Sequence, residues 1–317
     1  INIYKKGGLI IEINNHHKYN LEKNMNFTTS VIALSALVIL NGCVVIASPS
    51  YDRFNLTKEL KLDAKTLNKL AVEAGAGSLS IKGEEGLTAI RIKAEIYSAS
   101  EENDHYELTL TNSGSTAYLV AKYKGGSGLW SANGHSLQID LNVLVPPSML
   151  LDIDDGSGDL VVKDMLSKVN IKDGSGDMFV DNVNGDLTID DGSGRIKVSE
   201  VVGRVKINDG SGEMTLSDIK GALAIKDGSG EMTLSDIEGH IDIEDSSGSI
   251  RVINVNGNIS LDDGSGDLTV SHVSGLVTVS DGSGDIDVQD VGGLKIHETG
   301  SGGLRVNNIN GEFVIDN

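Results

Sequence analysis

The chain has 317 residues, a formal net charge of −20 and a single cysteine, Cys43, so it forms no intrachain disulfide. The charge is segregated: residues 151–317 hold 32 of the 46 Asp and Glu but only 12 of the 26 Lys and Arg. So acidic a segment repels nucleic acid, and with only Phe179 and Phe313 beyond residue 150 it lacks aromatic platforms on which bases or sugars stack.

Residues 1–24 begin with Ile and differ from everything that follows, so Met25 is read as the start and the upstream segment, with His16 and His17, as mis-started translation. After Met25 comes an apolar run, Val31–Leu40. It is too short to span a bilayer but suits the hydrophobic region of a secretory signal. The run leads into Leu40-Asn41-Gly42-Cys43, which resembles a bacterial lipobox. That resemblance implies a signal peptide over 25–42, diacylation of Cys43, and a lipidated linker over 43–55. Such a chain is tethered to a membrane without spanning it. Val44, in place of an Asp after the lipid-bearing cysteine, implies the outer membrane.

Residues 56–150 carry five of the ten remaining aromatics and have no fixed period. Ala89–Ile96, His105–Leu110, Ala117–Tyr123 and Leu137–Val145 alternate apolar with polar residues and read as strands. Leu56–Val72 also reads as strand, and Ala74–Ile81 resembles half of the repeat that follows. This region is expected to be a β-rich N-terminal cap with degenerate coils, because a stack of repeats needs an atypical unit to close its core and edge.

From residue 151 the chain repeats with a period of 18 residues. Asp-Gly-Ser-Gly or a close variant opens at Asp155, Asp173, Asp191, Asp209, Asp227, Asp245, Asp263, Asp281 and Thr299. Within Asp191–Asn208, Ile196 and Val198 alternate with polar residues, as do Val205 and Ile207. The pattern predicts two short strands per coil, with turns at Asp191–Gly194 and Glu200–Gly203. Val201 and its equivalents form a third apolar column, expected to fold inward from the second turn. A strict period of this length predicts an all-β, right-handed parallel β-solenoid. The Ser157 column is expected to satisfy turn backbone, since a row of hydroxyls without a base is not catalytic. In the eighth coil Leu294 and Ile296 come one position early, so Lys295 and His297 are expected to face solvent, the slip being absorbed at Gly292-Gly293 and Glu298-Thr299.

The passage from Leu141-Asn142-Val143-Leu144-Val145-Pro146-Pro147 into Leu150–Asp154 and the first Gly-Ser-Gly resembles the DUF4097 family of putative adhesins, over roughly residues 56–317. The resemblance implies a single-chain β-solenoid on a bacterial surface or envelope.

The functional expectation is a non-enzymatic, lipid-anchored envelope protein whose acidic rod contacts another macromolecule. Its partners would be the membrane, through Cys43, and an unidentified envelope component, but no nucleic acid. An alternative is a calcium-stabilised rod, because Asp154, Asp155 and Asp159, like Asp262, Asp263 and Asp267, flank one turn with clustered oxygens. Against it, the first Asp of each phrase can instead close an Asx-turn on its own backbone. An enzyme acting on polysaccharide is disfavoured, because equal coils raise no cleft wall and no catalytic residue stands out; no cofactor is expected. The threonine column Thr215, Thr233 and Thr269, considered as an ice-binding face, is interrupted by charged residues. The last coil, with Phe313, would offer an uncovered edge for end-to-end self-association.

Overall fold

The computed structural model describes residues 2–6, 9–13, 54–98, 106–124 and 137–316. Two compact units result, Ile1–Tyr51 and Asp52–Asn317. In the first, β1 (Asn2–Lys6) and β2 (Leu9–Ile13) pair as an antiparallel hairpin. Residues 25–42, Cys43 and the linker up to residue 53 lie outside the described residues, as do His16 and His17.

The second unit is all β, a solenoid of about nine stacked turns of about 18 residues. Two of its strands, β15 (Ile196–Val202) and β16 (Val205–Asp209), show how one coil is made. Their side chains alternate between inside and outside, so Ile196, Val198, Val201, Val205 and Ile207 are all buried. Each strand pairs in parallel with its equivalent in the next coil: Ile196 with Met214, Val205 with Leu223. Like therefore stacks on like through the core, and each buried aliphatic side chain contributes roughly 1.5–3 kcal/mol. The turns join the ladder as well. The Gly194 amide donates to the Ser211 carbonyl at 3.1 Å, and that of Gly192 to the Asp173 carbonyl at 3.1 Å.

The expected turn at Glu200–Gly203 takes a different form. The strand runs on to Val202, and one residue, Glu200, takes φ 54°. That left-handed step bends the strand and turns Val201 into the core, which is how the third apolar column becomes buried. The eighth coil slips as the sequence requires: β23 (Leu268–Asp281) and β24 (Ile286–Glu298) shift register between Val273 and Leu276 and again between Val279 and Ser280. Leu294 and Ile296 are buried, His297 is exposed and Lys295 half-buried.

The cap contains one coil of the same kind, β4 (Lys69–Ala76) with β5 (Leu79–Gly83), whose two strands pair in parallel with β10 (Leu150–Ser157) and β11 (Leu160–Met165). On its other side lie β8 (Thr116–Tyr123) and β9 (Gln138–Val145), again parallel. Three further strands change the direction of pairing. β7 (Tyr106–Ser113) lies antiparallel to β8, β6 (Ala89–Ser98) antiparallel to β9, and β3 (Phe54–Asp63) antiparallel to β6. At the far end β25 (Leu304–Ile309) and β26 (Phe313–Ile315) form the last described coil, with Leu304, Phe313 and Ile315 exposed.

Candidate functional site: an aspartate ladder inside the rod

Eight successive coils each place one carboxyl in their interior. From Asp173 to Asp281 the first Asp of the repeated phrase is the last residue of its strand, while Asp155 lies two residues before the end of β10; each points the same way as the apolar side chains two and four positions earlier. Asp155, Asp173, Asp191, Asp209, Asp227, Asp245, Asp263 and Asp281 are all buried, with relative exposures from 1% to 7%. They pair in unbroken register, Asp155 with Asp173 and so on to Asp263 with Asp281.

Five of them close an Asx-turn. The amides of Ser211, Ser229, Ser247, Ser265 and Ser283 donate to Oδ1 of the Asp two residues earlier at 3.0–3.1 Å. The turn thus explains why a polar group is wanted there. It leaves Oδ2 of these five without a partner, and in Asp155, Asp173 and Asp191 neither oxygen has one. Two unit charges one strand spacing apart repel by about 3 kcal/mol at an effective dielectric constant near 20. Burial, reinforced by the Asp173 charge, pushes Asp155 up to about 7. Burial and a neighbouring Asp push Asp173, Asp209, Asp245 and Asp263 up to about 6. Asp191, Asp227 and Asp281 are raised as well, chiefly by burial. The amides of each turn pull the other way without prevailing.

Each of the two aspartate trios expected to flank a calcium site is split between the interior and the surface of the rod. Asp155 and Asp263 belong to the interior ladder, whereas Asp154, Asp159, Asp262 and Asp267 are exposed. Among the described residues no group of three or more His, Cys, Asp or Glu could hold a metal ion.

A second column went unread in the sequence. Asp164, Asn182, Glu200, Asp218, Asp236, Asn254, His272, Asp290 and Asn308 all sit at φ between 52° and 58°. Asn, Asp and His tolerate this region better than other residues with a Cβ, and their recurrence once per coil was the available signal. Asn182 Nδ2 donates to Asp164 Oδ1 at 2.8 Å, and Asn254 Nδ2 to Asp236 Oδ1 at 3.1 Å. Glu200 is the exception in type. Glu200→Asn should stabilise the rod by about 1 kcal/mol, read as a rise of a few degrees in melting temperature.

A family model described as Toastrack DUF4097 matches residues 14–301. The chain belongs to this family. Three solved structures are similar to this Toastrack chain. A putative cell adhesion protein from Clostridium sporogenes shares 15% identity over 63% of this chain and 99% of its own, with a TM-score of 0.37. A putative lipid binding protein from Parabacteroides distasonis shares 11% over 82% and 96%, TM-score 0.33. A putative adhesin from Bacteroides fragilis shares 12% over 83% and 97%, TM-score 0.32. No curated protein sequence gives a significant match.

The outer surface of this Toastrack rod is laced by ion pairs between coils. Arg195 lies 3.4 Å from Asp177 and 3.7 Å from Glu213, and Arg204 lies 3.0 Å from Asp186. All are exposed, so each is worth little. The cap differs in charge. Lys61, Arg91 and Lys82 of the cap and Lys163 of the first regular coil follow one another across five neighbouring strands, with Leu144 between Arg91 and Lys82, a largely cationic row on an otherwise acidic molecule.

Proposed function

We propose that this protein is a non-enzymatic, lipid-anchored component of a bacterial outer membrane, and that its stiff acidic rod makes contact with another macromolecule. The observation that carries the reading is the equality of the coils. From Asp155 to Asp263 each step has the same length, every inward position is filled by a buried side chain, and no inserted loop rises beside the rod. A polysaccharide-cleaving site needs a walled cleft and a carboxyl pair whose environments differ. This surface repeats one environment, which suits multivalent contact along its length.

Family membership and the lipobox-like Leu40–Cys43 together support an envelope address. Three of the four cations in that row lie on the cap, the part of the rod nearest in sequence to Cys43. Anionic headgroups would attract that end and repel the acidic coils, so the rod would stand away from the membrane. The same repulsion argues against nucleic acid as partner.

The test has two parts in living cells. Cys43→Ser should move the protein from the membrane fraction to the soluble one and abolish incorporation of labelled fatty acid. Photo-crosslinkers at Thr215 and Thr233, on the outer face of the rod, should capture one recurrent macromolecule. A Cys43→Ser protein that stays in the membrane fraction would rule out the anchor, and scattered crosslinks with no recurrent species would rule out the contact.

A further inference from the structure

We propose that the interior aspartate ladder is a proton store, in which neighbouring carboxyls hold protons between them and the rod loosens as those protons are withdrawn.

The argument begins with what each oxygen can bond. An ionised carboxylate only accepts hydrogen bonds, and so does the carboxylate stacked on it. Among the described residues, no hydrogen bond or ion pair from Lys, Arg or His reaches any of the eight side chains. Eleven of their sixteen carboxylate oxygens are shut from water without a hydrogen-bond partner. A proton is the smallest group that turns one of them into a donor for the next.

The charged groups beside the ladder on the same strands are mostly acidic, Asp154, Asp190, Glu244 and Asp262 against Lys172 and Lys226, and all six side chains point outward, away from the ladder. Asp267 and Glu298 lie near Asp281 and make its ionisation harder. Across the core the facing strands present Leu160, Val162 and Met165 or their equivalents, none of which titrates. The turn supplies only backbone amides. Nor does the turn require a carboxylate: Ala74 pairs with Asp155 at one end of the column, and Thr299 takes the place after Asp281 at the other.

The direction of the pH effect follows from linkage. These carboxyls titrate higher in the folded rod than near 4, where they would titrate in the unfolded chain. The folded state therefore binds more protons between about pH 4 and 7. The stabilisation is complete below about pH 4 and is lost as pH rises through about 6–7.

The experiment follows thermal unfolding of the full chain at pH 5.5 and pH 8.0, at constant ionic strength, beside a carboxyl-carbon NMR titration. The melting temperature should fall by roughly 5 °C or more on going to pH 8.0, and several side-chain carboxyls should show midpoints near 6 or above. Asp209→Asn, Asp227→Asn and Asp245→Asn combined keep the turn acceptor without the charge. They should raise the melting temperature at pH 8.0, shrink the fall and remove some of the high midpoints. Should the triple variant fold poorly, Asp227→Thr, which copies Thr299, must show the same trend. The carbon signal comes from carboxyls alone, so His240, His272 and His297 do not enter the reading. A flat or rising melting temperature, or carboxyl midpoints all below about 5, would overturn the proposal. So would a fall in melting temperature at pH 8.0 on adding excess chelator, since a bound cation would then be neutralising the ladder.

Discussion

Gly212→Val is expected to destabilise the rod by more than about 4 kcal/mol, lowering the melting temperature by about 10 °C or more. Two independent causes act at this residue. Its φ is +152°, in a region that residues with a Cβ rarely enter, and a Cβ built there would collide with the carbonyl of Gly194 one coil away. The collision cannot be relieved by a rotamer change, because both partners are backbone fixed by the ladder: the Gly212 amide donates to the Ser229 carbonyl at 3.0 Å, and Gly194 is held in the same way by Ser211. Gly86 provides the control. Its φ is +77°, but nothing lies within 4 Å of a Cβ placed on it. Gly86→Asn should therefore cost less than about 1 kcal/mol. Circular dichroism melts of the two variants separate crowding between coils from backbone strain alone. Equal losses would mean that close stacking of the turns is not what demands glycine.

The coil itself was legible in the sequence because two signals agree: alternation at period 2 within a strand, and a fixed recurrence between strands. Ile196, Val198, Val205 and Ile207 satisfy both, and all are buried. The slip at Leu294 and Ile296 was legible for the same reason, since a buried pair cannot turn outward. The inward aspartates are another matter. The Asx-turn was visible in the Asp-x-Ser order, but whether the side chain bonding its own turn faces water or core depends on where the strand ends. That end lies at the Asp, one position later than alternation in polar residues suggests. The left-handed step at Glu200 was hidden in what looked like a loose turn, although Val201 beside it was correctly expected inside. In the cap, chain order and spatial order differ. The coil of β4 and β5 sits between β8–β9 and β10–β11, and such an arrangement depends on long-range pairing with no local trace. Cys43 rests on local motif alone and lies outside the described residues.

Deleting residues 210–227 should leave a folded rod one coil shorter, whereas deleting 219–227 should abolish cooperative unfolding. The longer deletion joins Asp209 to Gly228 and restores the Asp-Gly-Ser-Gly phrase without altering any column. Met232, Leu234 and Ile237 then stack where Met214, Leu216 and Ile219 stood, on Ile196, Val198 and Val201. In a linear array the loss is one coil and one interface, while the remaining nearest-neighbour contacts persist. The melting temperature should change by only a few degrees, with unchanged circular dichroism per residue. The shorter deletion removes more order than mass. It takes out Ile219, the Gly221 corner, the strand Leu223–Asp227 and one rung of the aspartate ladder. Every later strand would then have to cross to the other face of the rod, bringing left-handed corners against Asx-turns. The native slip in the eighth coil shows how little freedom exists: it displaces register by one residue between Val273 and Leu276, recovers it by Ser280, and has paired glycines, Gly292-Gly293, at the site. If the shorter deletion melted as cooperatively as the longer one, the coils would not be locked by the register of the full repeat. The side chains would then be packing as an interchangeable apolar filling, and the stacking of like on like would carry no structural weight.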